Sequence, residues 1–168
     1  MVKIPAHLKG TAYHEAGHAV AALLLGRRFK AISIEPDGDI LGLVSGIAWP
    51  RAFRPDTDDI DSRARSNIEK RIMIAAAGEG AESLYTGRRV MHYACQDAMQ
   101  AVDLASYVCP ENEECSAYTN WLWLRAKNLI REPRSWIMVE ALASKLLNLP
   151  AGKRWLNYRQ AVEAMRAS

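Results

Sequence analysis

Apolar and polar positions along this chain recur mostly at spacings of three and four, the pattern that places side chains on one face of a helix. Thr11 is suited to cap a helix running to about Leu25, with Gly26 as its stop and Arg27 and Arg28 where positive charge suits a helix end. Pro5 and Gly10 read as breakers in a short lead-in. Ala12, Ala16, Ala19, Val20, Leu23 and Leu24 make this helix apolar on most sides, which predicts a position deep in the domain.

Residues 31–35 instead alternate at period two and predict a strand. Pro36-Asp37-Gly38-Asp39 is a turn signal, and residues 40–49 read as a partner strand loosened by Gly42 and Gly46. The pair predicts a β-ribbon. From about Asp59 to Tyr85 the helical period returns, with Ile68, Ile72, Ala75, Ala76, Glu79 and Glu82 in step. Gly78 and Gly80 inside it each cost roughly 1 kcal/mol relative to Ala, which implies close backbone packing, and Gly87 ends it. A helix over 96–108 stops at Pro110, and three more are expected at about 112–131, 134–148 and 153–166, separated by Pro133 and by Pro150-Ala151-Gly152. No internal repeat or linker divides residues 1–168, so the expectation is one mainly α domain with a small β-ribbon.

Composition narrows the function classes. With 168 residues, 49% hydrophobic and 24% charged, the chain is neither disordered nor a disulfide miniprotein. Its 22 basic and 19 acidic side chains leave a formal charge of +3, too mild to point to a nucleic-acid partner. The longest apolar run, residues 19–25, falls far short of the ~20 residues that span a bilayer, and it ends in Gly26-Arg27-Arg28 without a signal-peptide cleavage site. Three cysteines without framework spacing fit free thiols in a reducing compartment, so a cytoplasmic protein with no transmembrane segment is expected.

The chemistry concentrates in His14-Glu15-Ala16-Gly17-His18, a HExxH sequence on the first helix. Histidines four apart share a helical face and can bind one Zn²⁺, while the intervening glutamate can act as general base. Four histidines and eleven glutamates in 168 residues produce this pattern by chance at a rate of roughly 0.6%. Unpaired imidazoles would also be costly to bury in so apolar a helix. A catalytic zinc needs a third ligand, and His92, Asp97, Glu82 and the cysteines are the candidates. The spacing of His92, Cys95, Cys109 and Cys115 does not match a structural zinc knuckle. Spacing alone leaves Asp97 and Glu82 level.

Tyr13-His14-Glu15-Ala16-Gly17-His18-Ala19, Ile32-Ser33-Ile34-Glu35-Pro36 and Leu41-Gly42 resemble the peptidase domain of FtsH-type ATP-dependent zinc metalloproteases. Ala77-Gly78-Glu79-Gly80-Ala81-Glu82 with Leu84 and Gly87 is similar to that family's Gly-x-x-Ala-Glu-Glu-Leu helix end. Gln96-Asp97-Ala98 with Ala101 and Ala105 is similar to its Asn-Asp-Leu-x-x-Ala-Thr segment. The landmarks cover about residues 11–108, and the C-terminal helices are only vaguely similar.

The resemblance implies a largely helical fold with a small β-ribbon. It also implies Asp97 as the third zinc ligand, beside His14 and His18, with Glu82 in a supporting role. The chain departs from the pattern at Gln96, Ala98 and Ser83, and nothing in it resembles a Walker A loop. The expectation is therefore the peptidase module without the ATPase, with a separate ATPase or a regulatory partner as the open partner classes.

The expected activity is zinc-dependent endopeptidase hydrolysis of peptides or unfolded segments, with Glu15 as general base. The ribbon around 40–45 offers an edge for an extended substrate. Two alternatives stand beside it: a non-catalytic, zinc-stabilised binding module, against which the intact Glu15 weighs, and a regulator that cleaves one partner protein. Tyr118, Trp121, Trp123, Trp136 and Trp155 are read as core rather than as a docking surface.

Overall fold

The computed structural model describes residues 4–38, 41–50, 60–88, 96–109 and 111–166. Among them the chain forms six helices and a small sheet, the mainly α architecture expected. Helix α1 (Ala6–Leu24) runs through the middle, with Ala12, Ala16, Ala19, Val20, Ala21 and Ala22 all fully buried. Gly26 ends it in the left-handed region (φ 73°), where the Arg27 amide bonds the Ala22 carbonyl and the Gly26 amide bonds that of Leu23. The helix starts five residues before Thr11, so Gly10 lies inside it. A mid-helix glycine costs only ~1 kcal/mol, which burial of the surrounding face offsets.

Helix α2 (Ser62–Thr86) crosses α1. Asp61 caps it, accepting from the Ala64 amide at 2.7 Å, and Gly87 closes it at φ 65°. The crossing is close because both helices present small residues. A Cβ on Gly17 would press on the Ala77 carbonyl oxygen and lie 2.7 Å from the Ala81 Cβ. Helices α3 (Gln96–Ser106) and α4 (Asn112–Arg131) pack on the other side of α2, around Ile68, Ile72, Met73, Ala101, Leu104 and Leu122. Helix α5 (Pro133–Leu147) returns against α1, with Pro133 in its first turn, where no amide is needed.

The sheet has three strands rather than two, in the order β2-β1-β3. β1 (Ala31–Ser33) pairs antiparallel with β2 (Leu43–Ser45) and with β3 (Trp155–Asn157). β2 is much shorter than the 40–49 segment predicted, because Gly46 turns the chain at φ 64°; Ile40 lies outside the described residues. β3 falls where the last helix was expected to begin. That helix, α6 (Tyr158–Arg166), starts instead behind a reciprocal cap between Asn157 and Gln160, each amide bonding the other's side chain at 3.0 Å.

The aromatic residues also divide differently from expectation. Trp136 stacks on Tyr13, and Tyr118 and Trp123 pack against the α2–α4 core, but Trp121 and Trp155 are about half exposed. Trp121 lies against Tyr118 with the Arg125 guanidinium 4.8 Å over its ring. No helix among the described residues is long and apolar enough to cross a membrane.

Replacing Gly17 with Ala sets a gain in helix propensity of up to ~1 kcal/mol against a clash with backbone that cannot rotate away. The clash is expected to win, lowering stability by ~1–3 kcal/mol in urea unfolding monitored by circular dichroism.

Candidate metal centre

His14 and His18 lie one turn apart on the face of α1 that meets α2, and Asp97 reaches them from the first turn of α3. The Asp97 Oδ2 atom stands 3.4 Å from His14 Nε2 and 3.3 Å from His18 Nε2. The donor atoms of the three side chains all lie within 4.8 Å of one another. Of the other candidates, His92 and Cys95 lie outside the described residues. Cys109 and Cys115 sit beyond the far end of α3.

Each imidazole is held by its other nitrogen. His18 Nδ1 donates to the Ile74 carbonyl oxygen at 2.7 Å, and His14 Nδ1 donates to Glu82 Oε2 at 3.1 Å. A carbonyl can only accept, so the neutral His18 ring presents a lone pair at Nε2. The same logic applies to His14 with Glu82. One carboxylate oxygen therefore faces two nitrogen lone pairs, an arrangement that repels unless a proton or a cation sits among them. Separations of 3.3–3.4 Å also match the edge of a tetrahedron whose metal–ligand bonds are about 2.0–2.1 Å. The residues present fit a zinc ion.

Glycines open the space. A Cβ on Gly78 would fall 2.8 Å from His14 Nε2 and closer still to His18 Nε2. Gly78 lies one turn beyond Ile74, so no side chain covers the carbonyl that His18 uses. A Cβ on Gly10 would sit 3.1 Å from Glu82 Oε1, so this glycine gives Glu82 room to reach His14. None of these roles has a signature in the sequence beyond a glycine at an unfavourable helical position. The Ile74 carbonyl, being backbone, has none at all.

Glu15 lies close enough to feel both imidazoles and also reaches the sheet. It is 6% exposed and accepts from the Val44 amide on β2. A Cβ on Gly42 would meet its Cγ at 2.7 Å and its Oε1 at 2.8 Å, so only glycine lets the backbone lie this close. Beside the site, Tyr13 stacks on Tyr85 with ring centroids 3.8 Å apart, tying α1 to the end of α2.

The charges follow from this packing. Burial works against a charged His14, but its hydrogen bonds to Asp97 and Glu82 outweigh burial and push the imidazole up to about 10. Burial would raise the Asp97 carboxyl, yet the two imidazoles hold it well below the usual carboxylate range. Burial pushes Glu15 up, opposed by His18, His14 and the Val44 amide.

Residues 2–111 match the sequence model of peptidase family M41. No curated protein matches the chain.

In the metal-free protein His14 carries a proton up to about pH 10, and a metal must displace it. Adding Zn²⁺ at neutral pH is thus expected to release about one proton from His14, read by calorimetry in buffers of different ionisation enthalpy. Glu82→Gln removes one of the two carboxylates that hold that proton. It should reduce the release and weaken zinc affinity ~10–100-fold. The raised value has a second consequence: His14 stabilises the metal-free fold fully below its ordinary value of 6.5 and ceases to as pH rises through about 10. Melting midpoints measured in chelator should fall over that interval.

Proposed function

The chain belongs to peptidase family M41, and from that premise we propose that it is a zinc-dependent metalloendopeptidase acting on peptides or flexible, unfolded protein segments. The observation that carries the reading is the convergence of His14 Nε2, His18 Nε2 and Asp97 Oδ2, with Glu15 on the same helix between the two histidines. His14, His18 and Asp97 would hold the ion, and two neutral imidazoles with one carboxylate leave it partly neutralised. Bound there, zinc supplies Lewis acidity toward the scissile carbonyl and a water molecule.

The remaining work falls to the chain's own residues. Glu15 takes a proton from the attacking water and returns it to the leaving amine. Its burial suits this, because a carboxylate removed from bulk water binds a proton more readily than an exposed one. The Val44 amide and the close approach of Gly42 fix the carboxylate while it does so. Glu82 and the Ile74 carbonyl orient the two imidazoles.

The sheet supports a place for substrate. β2 pairs with β1 on one side only among the described strands. Leu43 and Ser45 stand opposite Ser33 and Ala31, and the Val44 amide points the other way, to Glu15. An extended peptide adding to this edge would lie alongside the general base. The partner expected is thus a peptide or unfolded polypeptide, not a nucleic acid.

Glu15→Gln should retain stoichiometric zinc while cleavage of unfolded casein falls ~10²–10⁴-fold. A chelator should abolish the wild-type cleavage and zinc restore it. Undiminished proteolysis by the variant would overturn the mechanism, and wild-type protein that binds zinc yet never cleaves casein or peptides would favour a binding module.

A further inference from the structure

The junction between α3 and α4 carries a chemistry that peptide hydrolysis does not use. Cys109 lies just past the end of α3, and Cys115 lies in the first turn of α4. The Cys115 thiol donates to the Cys109 carbonyl oxygen at 2.7 Å. Both are reduced. Their accessibilities differ: Cys109 is 3% exposed, whereas Cys115 is only half-buried, packed at the rim of the α2–α3–α4 core.

We propose that Cys109 and Cys115 form a modification site, a dithiol that hydroperoxides convert to an intramolecular disulfide. Solvent access makes Cys115 the sulfur that meets the oxidant. Burial and the neighbouring thiol push Cys109 up to about 11, which keeps it protonated and inert until a partner sulfur is activated.

The Cys115 thiolate attacks the peroxide, whose O–O bond breaks; the sulfur becomes a sulfenic acid, and the other oxygen takes up a proton and leaves as an alcohol, or as water from hydrogen peroxide. The Cys109 sulfur then attacks the Cys115 sulfur. An S–S bond forms, the S–O bond breaks, and the departing hydroxide takes the Cys109 proton and leaves as water. Two thiols have lost two electrons and two protons, and one hydroperoxide has become one alcohol and one water.

The pairing fits local geometry, since a thiol already bonded to the other cysteine's carbonyl needs little backbone movement to reach bonding distance. It also has a structural consequence. α3 carries Asp97 at one end and leads into Cys109 at the other, so the bond ties the Asp97-bearing helix to α4. Closing this short loop limits the unfolded chain and should raise the thermal midpoint by ~5 °C.

The test treats the full chain with hydrogen peroxide and maps its peptides by mass spectrometry. The expected product is a linked peptide pair containing Cys109 and Cys115, lighter by two hydrogen atoms than the reduced pair and separated again by dithiothreitol. It should form unchanged in Cys95→Ser and disappear in Cys115→Ser, with circular dichroism verifying that both variants fold. Recovery of Cys109 and Cys115 unlinked, or of either joined to Cys95, would overturn the proposal. Because the readout is thiol chemistry, it does not depend on whether the chain cleaves peptides.

Discussion

Three electron-rich atoms held within 4.8 Å of one another repel, and a fold that keeps them there must oppose the repulsion or place positive charge among them. Here the atoms are two imidazole nitrogens and one carboxylate oxygen, from α1 and α3. Much of the surrounding packing serves to keep them together. α2 runs against α1 through glycine and alanine, which lets a backbone carbonyl and a glutamate reach the far nitrogens of the two rings. Larger residues at these crossings would move the helices apart and leave the imidazoles without fixed orientation. The stripe of small residues is therefore as much a part of the centre as the side chains that face the cavity.

The same packing separates two carboxylates into different surroundings. Asp97 is drawn toward ionisation by the imidazoles, whereas Glu15, one residue from His14 in sequence, is buried against β2 and pushed toward protonation. Adjacent positions on a helix point about 100° apart. That rotation lets His14 face Asp97 of α3 while its neighbour Glu15 meets β2, so the two carboxylates lie in different surroundings.

The HExxH pair was legible because helical periodicity puts residues four apart on one face, and the period itself can be read from the flanking alanines. The competition between Asp97 and Glu82 was not resolvable by spacing, for a physical reason: both carboxylates touch His14, one at each ring nitrogen. Only the resemblance to FtsH-type peptidases separated them. The helix content was legible for the same reason as the HExxH pair. β3 was not, since three residues carry too little alternation to register, although Asn157 and Gln160 did hold the spacing of a reciprocal cap. Gly10 misled because a breaker read locally takes no account of the carboxylate that comes to rest against it. Trp121 and Trp155 misled because aromatic size argues for burial only where there is a surface to receive the ring.

Among the described strands, the side of β2 away from β1 has no partner strand; it is three residues long and bracketed by Gly42 and Gly46. Long, flat edges invite one copy of a protein to pair with the next and grow into aggregates. An edge this brief, with its Val44 amide already held by Glu15, offers too few backbone bonds to propagate. Brevity would also set a timescale for the proposed substrate: a strand held by a few main-chain bonds would be quickly let go, and recognised by its extended shape more than by its side chains. In the proposed peptidase, the feature that discourages pairing between copies would thus favour turnover of many sequences over tight retention of one.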